Sequence, residues 1–297
     1  MPGLPLPEGC GCDWFFPLPG SLLDEWIRED VPYTDFTTGV LGIAWRAGRA
    51  RLVTRERIVA CGLREAAAVY ERLGARVRLL AGEGCWAEPG QALLEAEGPA
   101  GALHAGWRLA QMLAAVGSGV ATYTRRMVER ARAASPGVVV AVARKAPPGL
   151  RSLYYRCVLC GGATLHRMGL SETVLVFRNH LVFLEGGLRE ALERLRGARG
   201  VVGERLVAVE AESVEEALLA AESGVVDEVQ LDHVEPGELA RLVGELKRRN
   251  PRIRVAVGGG IGLENVAEYA ATGVDVVVTS APYWARPADL TTRMEPL

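Results

Sequence analysis

The feature that most constrains the fold is an alternation of short apolar runs with amphipathic segments between residues 206 and 281. Each run is rich in β-branched residues and ends in a polar or glycine turn. The runs are LVAVE (Leu206–Glu210), VDEVQLD (Val226–Asp232), IRVAVGGG (Ile253–Gly260) and VDVVVTS (Val274–Ser280). Short apolar strands that alternate with helices predict a parallel sheet with helices outside it.

The segments between the runs have apolar residues at helical spacing and stop on Gly224, Asn250 and Gly273. In the third segment the apolar spacing starts at Leu263, which predicts a helix from there. In a β/α barrel the carboxyl ends of the strands form one rim, where active sites of that architecture lie. Polar residues close the four runs, and they comprise two carboxylates, a glycine turn and a hydroxyl: Glu210, Asp232, Gly258–Gly260 and Ser280. This set predicts a metal-assisted phosphate site.

Length and charge limit the class of protein. A chain of 297 residues exceeds the usual size of one domain, so we expect two. The net charge of −2 argues against a broad nucleic-acid footprint. No apolar run approaches the roughly 18 residues of a membrane span, and the start MPGLPLPEG lacks the regions of a signal peptide. We therefore expect a cytoplasmic protein with neither a membrane nor a nucleic-acid partner.

The six cysteines are scattered through the chain, and we expect reduced thiols, with an intramolecular disulfide as the alternative in a hyperthermophile. The pair Cys157 and Cys160 has the spacing of a zinc or redox motif. It lies, however, in LRSLYYRCVLCGGA, which has helical spacing, and no second such pair completes a tetrahedral site. A structural role is therefore favoured.

The first hundred residues predict an α+β layer. The stretch SLLDEWIREDVPYTDFTT is typical of a short helix that Pro32 stops, and strand-like pieces then surround the helix REAAAVYERLG. A longer helix, LHAGWRLAQMLAAVGSGVATYTRRMVERARAAS, follows. Arg108 stands near its start, and its own stretch favours a solvated surface residue.

Basic residues are gathered at two further places. Arg144 and Lys145 fall at the end of the strand VVVAVARKAPPG, where adjacent cations suit a phosphate or carboxylate. His166 and Arg167 follow a glycine pair and precede another apolar strand. Such a pair is as consistent with ligand binding as with a structural histidine.

Several motifs together resemble the quinolinate phosphoribosyltransferase family, also called nicotinate-nucleotide pyrophosphorylases (carboxylating). They occur in order along nearly the whole chain: EDVPYTDFTT, ARKAPPGLRSL, GGATLHRMGL, NHL, VEAES, QLDH and GGGIGLENVAEYAATGVDVV. Within the family, LHAGW, GLSETVLVF and VTSAPYWARPADL look more like the ModD branch, pyrophosphorylases associated with molybdate transport systems.

The resemblance implies an α/β fold in two parts. These are an N-terminal α/β sandwich domain, expected over residues 1–117, and a C-terminal open α/β barrel of TIM-like, type II phosphoribosyltransferase form over 118–283. The tail 284–297 is expected to pack on the first domain. The resemblance also implies a homodimer or higher homo-oligomer, in which Arg108 reaches the neighbouring subunit's active site, and small-molecule substrates that include phosphoribosyl pyrophosphate.

The same resemblance implies roles for the rim residues. Glu210 and Asp232 match acids that bind Mg²⁺ and face the ribose, and with Lys145 they form the expected catalytic set. The expected substrate-binding residues are Arg108, Arg144, His166, Arg167, Phe177, Gly259, Gly260 and Ser280. Phosphoribosyl transfer develops positive charge on the ribose as pyrophosphate leaves, so carboxylates, Mg²⁺ and cations suit the reaction. The glycines let backbone N–H groups approach a phosphate at a helix start.

The chain departs from the family where a lysine that contacts the acid substrate is usual. VLVFRNH replaces a pattern like VLIKDNH, so Phe177 and Arg178 stand at the usual lysine and aspartate. Arg178 is not an obvious replacement, because neighbours on a strand face opposite sides. Ala143 and Gly258 also replace a usual threonine and serine. The pocket loses a cation and gains an aromatic ring, which favours an acceptor less anionic than quinolinate, since an unpaired buried carboxylate is costly.

Two other classes of function remain open. The first is a non-catalytic nucleotide- or oxyanion-binding protein linked to molybdate transport, which Phe177 favours and the intact acid pair disfavours. The second is a generic phosphate-binding barrel, such as a lyase or isomerase. The repeats alone allow it, but it leaves the N-terminal half and Arg108 unexplained.

Overall fold

The computed structural model describes residues 18–297. Within this range the chain forms two compact units. The barrel unit contains residues 126–145 and 163–281, and the sandwich unit contains residues 18–125, 146–162 and 282–297. The segment with the Cys157–Cys160 pair thus belongs to the sandwich unit.

The described residues alternate between helices and strands along most of their length. The α-helices are α1 (Gly20–Asp30), α2 (Phe36–Val40), α3 (Leu63–Arg72), α4 (Ala100–Ala134), α5 (Arg151–Cys160), α6 (Arg178–Leu181), α7 (Gly187–Gly197), α8 (Arg199–Val202), α9 (Val214–Glu222), α10 (Pro236–Arg249) and α11 (Val266–Ala270). The strands are β1 (Ala47–Thr54), β2 (Ile58–Val59), β3 (Arg76–Leu79), β4 (Trp86–Ala87), β5 (Ala92–Pro99), β6 (Val139–Val142), β7 (Thr164–Leu165), β8 (Val174–Val176), β9 (Val207–Ala211), β10 (Glu228–Asp232), β11 (Arg254–Gly258), β12 (Val276–Thr279) and β13 (Leu290–Pro296). None of the helices in residues 18–297 combines the length and hydropathy of a membrane span.

The barrel unit is built on a parallel sheet of seven strands. Their order is β7-β6-β12-β11-β10-β9-β8, and every paired neighbour runs parallel. The sheet is an open barrel, as predicted, with β7 and β8 at its two edges. All seven strands therefore end at the same rim.

Valine and alanine dominate the sheet because both of its faces are buried. Ala141, Ala256, Val276 and Val278 form one cluster of the core and are at most 6% exposed. The helices between the strands follow their sequence signals. Ser213 caps α9 by accepting the Glu216 N–H at 3.1 Å, and Pro236 opens α10 where its missing N–H costs nothing.

The helix expected from Leu263 is shorter than predicted. α11 starts at Val266 and has five residues. The Asn265 side chain explains the difference, because it accepts the Gly262 N–H at 2.8 Å and donates to the Gly260 carbonyl at 3.2 Å. These bonds hold the segment before α11 as a loop, so the glycine turn leads into a loop instead of a helix start.

The sandwich unit contains a four-stranded antiparallel sheet of order β13-β1-β5-β3 and a separate β2-β4 pair. Leu52 and Leu94 on the central strands are buried. On the other face, Arg51 donates to Glu95 at 2.6 Å across the strands, and such opposite-charge pairs stabilise a sheet. α3 packs on β3 and β5. The N-terminal half is thus an α/β sandwich.

Two aspartates repeat one device at the amino ends of the barrel strands. Asp227 precedes β10 and accepts the Val207 N–H at 2.8 Å, while its own N–H donates to the Val207 carbonyl at 2.8 Å. Asp275 precedes β12 and does the same with Val255, at 2.8 and 2.9 Å. Asp275 also pairs with Lys247 at 2.9 Å. Each aspartate fixes a strand at the end opposite the rim, where barrels carry stability.

We expect Asp275→Ala to lower the free energy of unfolding by about 2 kcal/mol, because it leaves the Val255 N–H without its acceptor and Lys247 with only the Gly273 carbonyl. Urea denaturation measures this loss. Glu264→Ala is the control, since Glu264 is 91% exposed in its contact with Arg130 and should change stability by less than about 0.5 kcal/mol. An equal effect of both variants would contradict the assignment.

Candidate functional site

A cavity of about 700 Å³ opens at the carboxyl rim of the parallel sheet. Every one of the seven strands contributes to it at or near its carboxyl end. In the order of the sheet, the lining residues are His166 and Arg167 after β7, Arg144 and Lys145 after β6, Ser280 after β12, Gly259 and Gly260 after β11, Asp232 on β10, Glu210 on β9 and Phe177 after β8. All rim residues predicted from the barrel half of the sequence thus line one cavity.

The basic side of the cavity lacks compensating acids. Among the ion pairs of the described residues, none includes Arg144, Lys145 or Arg167. The buried Nε of Arg144 has no hydrogen-bond partner. Burial lowers the pKa of Arg167, and the charge of Arg144 lowers it further. Two neighbouring guanidinium groups that repel each other are stabilised when an anion binds between them.

His166 has a defined partner. Its Nε2 lies 3.7 Å from Oε1 of Glu228, which is buried at the start of β10. Its backbone N–H donates to the Val142 carbonyl at 3.0 Å, which continues the pairing of β7 with β6. The imidazole is therefore held at the rim by both its backbone and its side chain.

The acidic side of the cavity consists of Glu210 and Asp232 on adjacent strands. Burial raises the pKa of Glu210, and the charge of Asp232 raises it further, whereas a hydrogen bond from Gln230 and the charge of Lys145 lower it. Gln230 donates from Nε2 to Glu210 Oε2 at 2.6 Å, and its own Oε1 is buried without a partner. The two carboxylates thus repel each other, and a cation bound between them would relieve that repulsion.

The glycine turn after β11 requires glycine for two reasons. Gly259 has a φ of 91°, and a Cβ built on it would lie 2.6 Å from the backbone nitrogen of His233. Beside it, Thr279 donates to the Ile261 carbonyl at 2.6 Å and accepts the Ala281 N–H at 3.0 Å. Thr279 therefore connects the glycine loop to the turn that carries Ser280.

Phe177 lines the cavity, whereas Arg178 is not among its lining residues. The placement of both residues on a strand was wrong, because β8 ends at Val176 and Arg178 is the first residue of α6. Arg178 instead forms an exposed ion pair with Glu212, in which its Nε lies 3.8 Å from Oε2 of the glutamate. No cation in this segment takes the place of the usual family lysine.

Arg108 does not line this cavity, and it belongs to the sandwich unit. It stacks on Trp107 with 4.0 Å from its guanidinium carbon to the ring centre. It also lines a second cavity, of about 430 Å³, with Trp26, Leu113 and Tyr154. The expected role of Arg108 in a neighbouring subunit's active site therefore stays a prediction.

Three polar side chains of the cavity were missed by the sequence reasoning: Gln230, His233 and Thr279. Gln230 and Thr279 lie inside apolar runs, so only the alternation of side chains along a strand pointed to them. His233 directly follows Asp232, and its Nδ1 lies 2.8 Å from Asp232 Oδ2. His233 has a φ of 57°, which is uncommon for a residue other than glycine. This conformation carries its ring against Gly259, which a side chain there would block.

Comparison with known proteins gives matches along most of the chain. Residues 35–115 match the family description "Quinolinate phosphoribosyl transferase, N-terminal domain", and residues 120–293 match the corresponding C-terminal domain. "Putative pyrophosphorylase ModD" of Rhodobacter capsulatus is 40% identical over 241 residues, covering 81% of this chain and 92% of the relative. Nicotinate-nucleotide pyrophosphorylase [carboxylating] of Rattus norvegicus is 34% identical over 268 residues, covering 90% and 88%.

A solved structure shares the fold. The nicotinate-nucleotide pyrophosphorylase of Francisella tularensis superposes with a TM-score of 0.84 at 23% identity, covering 94% of this chain and 98% of that one. The domain matches cover most of the chain, and the relatives extend over nearly its whole length. The chain therefore belongs to the quinolinate phosphoribosyltransferase family and is a pentosyltransferase of the nicotinate-nucleotide pyrophosphorylase type.

Proposed function

We propose that the rim cavity transfers phosphoribose from phosphoribosyl pyrophosphate to a nitrogenous heterocyclic acid that carries fewer negative charges than quinolinate. The observation that supports this most is the meeting of three unpaired cations and two carboxylates in a single cavity. A donor of this kind presents both anionic phosphates and a ribose that becomes positively charged as the pyrophosphate leaves. The two kinds of charge at the rim match these two parts.

The basic side would hold the pyrophosphate. Arg144 and Arg167 are close enough for their charges to lower the pKa of Arg167. Guanidinium groups bind phosphate oxygens through paired N–H donors, and the unpartnered Nε of Arg144 offers one of these. Lys145 would hold a pyrophosphate oxygen and steady the departing anion. The turn at Gly259 and Gly260, with Ser280, would receive the 5′-phosphate.

The donor set of the acidic side fits Mg²⁺. Glu210, Asp232 and the unpartnered Gln230 Oε1 are hard oxygen donors, and Mg²⁺ is commonly held by one or two carboxylates together with substrate phosphates. When bound, the ion would neutralise charge on the pyrophosphate. The carboxylates themselves would face the ribose and stabilise its developing positive charge. His233 would fix the orientation of Asp232 through its 2.8 Å contact.

The acceptor is inferred from Phe177. Its ring lines the cavity where the family usually has a lysine that contacts the acid substrate, and Leu175 adds a further apolar wall. A second carboxylate of the acceptor would meet no cation there, and an unpaired carboxylate in a closed site costs several kcal/mol. An acceptor with one carboxylate would place an apolar part of its heterocycle against the ring of Phe177.

The resemblance to the family supports a homodimer in which Arg108 completes the neighbouring subunit's active site. Arg108 lies in no ion pair of the described residues, and its guanidinium carbon lies 4.0 Å from the centre of the Trp107 ring. A guanidinium presented in this way is available to an anion. The non-catalytic, molybdate-linked alternative keeps the same cavity but requires no turnover, so the next experiment separates the two.

We expect the protein to release pyrophosphate from phosphoribosyl pyrophosphate in the presence of Mg²⁺ and at least one heterocyclic acid of a panel that includes quinolinate and nicotinate. Glu210→Gln should lower kcat by at least about 100-fold, because it removes charge that stabilises the transition state. A coupled pyrophosphate assay measures both. Glu212→Gln is the matched control, since Glu212 is an exposed acid just past the same strand and outside the cavity. Failure with every acceptor, while the donor still binds, would favour the non-catalytic alternative.

We expect Phe177→Lys to raise kcat/KM for quinolinate relative to nicotinate by about tenfold or more, because it returns a cation to the wall that faces the second carboxylate. Steady-state kinetics with both acids gives the ratio. Phe177→Leu keeps the wall apolar and should leave the ratio nearly unchanged. A ratio that the lysine does not alter would show that Phe177 does not face the acceptor's carboxylates.

Glu210 should also make stability depend on pH. Burial, followed by the charge of Asp232, raises its pKa in the folded protein. Its ionised form therefore opposes folding at neutral pH, and this effect vanishes as pH falls below the ordinary carboxyl pKa. We expect ligand-free Glu210→Gln to unfold at higher urea than the unaltered protein at neutral pH, with the difference disappearing in acid. Lower stability of the variant at neutral pH would contradict this sign.

A further inference from the structure

The sandwich unit contains a buried cluster of sulfur and oxygen donors that the phosphoribosyl chemistry does not use. Cys61, Glu83 and Cys160 are each at most 3% exposed. One ligand atom from each lies within 4.8 Å of the others, and Cys160 Sγ is 4.0 Å from Glu83 Oε2. The three residues come from separate parts of the chain.

A fourth donor stands beside this group. Cys157 is fully buried one turn before Cys160 on α5, so both sulfurs lie on the same side of that helix. Its thiol is in hydrogen-bond contact with the thiol of Cys61. The pair was assigned a structural role because a second pair is missing from the sequence. The fold supplies Cys61 and Glu83 in its place.

The backbone around the cluster is held by hydrogen bonds. Arg125 donates to the carbonyls of Cys160 and Gly161 at 3.0 Å and of Gly84 at 3.3 Å, so one guanidinium joins the segments that carry Cys160 and Glu83. The Cys61 N–H donates to Ser118 at 3.0 Å. Such outer contacts orient the ligands of a metal before it binds.

Both oxygens of Glu83 are also oriented. They accept the N–H groups of Gly62 and Arg64 at 3.1 and 3.0 Å, at the start of α3. These bonds account for the position of the carboxylate as a helix cap, and the Cys160 thiol adds a further donor to Oε2 at 4.0 Å. If that thiol lost its proton to solvent on metal binding, Oε2 would have a lone pair for the ion.

A buried carboxylate among sulfur donors is costly unless it has a partner. The neighbouring cation, Arg156, is already paired with buried Glu65. A divalent ion at the centre would give the carboxylate and the sulfurs a common partner.

We propose that Cys61, Cys157, Cys160 and Glu83 form a closed structural site for a thiophilic divalent cation, of which Zn²⁺ is the best match. Zn²⁺ takes tetrahedral sulfur and oxygen ligands at about 2.0–2.3 Å, so its ligands lie about 3.5–3.8 Å apart. The separations among the donor atoms of Cys61, Glu83 and Cys160 are at most 4.8 Å, so these three ligands would close in by about 1 Å. Cys157, in contact with Cys61, would move in as the fourth ligand. Binding would release the thiol protons to solvent. Complete burial fits an ion taken up during folding.

A disulfide is the competing interpretation of the thiols. The expectation of reduced cysteines is wrong for Cys85, which is disulfide-bonded, whereas Cys61 and Cys157 are free. A bond between two sulfurs of the cluster would use neither the third sulfur nor Glu83, and it would leave the carboxylate buried beside an apolar group. The metal site uses all four groups.

The test measures metal in the full-length protein, purified without chelator and without oxygen. We expect about one zinc per chain by elemental mass spectrometry. After removal of the zinc, titration with Co²⁺ should produce thiolate-to-cobalt charge-transfer absorption. Co²⁺ bound in the rim cavity would have no thiolate ligand there, so that cavity does not contribute to this signal.

Cys160→Ser and Glu83→Gln should each weaken Co²⁺ binding by at least about tenfold. Glu65→Gln is the matched control, because it removes a buried carboxylate beside the same cluster without removing a ligand. If Cys160→Ser does not fold, Glu83→Gln and the metal content of the unaltered protein still test the proposal. Absence of zinc together with no charge-transfer absorption overturns the proposal. A disulfide among the three thiols in metal-free protein overturns it as well.

Discussion

Parallel pairing of seven strands is the constraint on which the barrel unit depends. Because every neighbour runs in the same direction, every strand must end at the same rim. At the opposite ends two aspartates bind the first residue of β9, Val207, and the second residue of β11, Val255. Stability and chemistry are thus separated along the strands. Buried valines and the aspartate contacts hold the sheet, and the residues just past the last hydrogen bonds are left to bind ligands.

The order of the strands arranges the rim chemically. Cations lie after β7 and β6, the glycine turn and Ser280 after β11 and β12, the acids on β10 and β9, and Phe177 after β8. The free cavity is electrostatically unfavourable on both sides, since like charges face each other at Arg144 and Arg167 and at Glu210 and Asp232. An anion on one side and a cation on the other would relieve both repulsions, and this relief would favour binding of both.

In the sandwich unit, segments that are far apart in the sequence lie close together. Gly62 has a φ of 79° and leaves no room for a side chain against the Leu113 carbonyl, and Gly161 approaches Thr124 as closely. These approaches bury Cys61 and α5 together, and Arg125 then uses its donors on backbone carbonyls. A metal at the cysteine cluster would stabilise the same packing, so its role would be in folding and not in the transfer reaction.

The sequence by itself determined the barrel strands, the family and the rim residues of the barrel half, because β-branched runs ending in polar residues predict strand ends directly. It did not determine which strands are neighbours. β6 pairs with β12, with Val139 opposite Val276, although most of the sequence of the barrel unit lies between the two strands. Only tertiary packing selects that pairing. The prediction of a helix from Leu263 was wrong because the Asn265 side chain hydrogen-bonds the backbone of the preceding loop. The spacing of apolar residues carries no information about such side-chain hydrogen bonds. Gln230 was hidden in an apolar run, and the thiols of Cys61 and Cys160 meet only through folding. Hydrophobic periodicity specifies helices and strands along the sequence. Clusters of charged and ligand side chains depend on the distances between segments, which are fixed only when the segments pack in the tertiary structure.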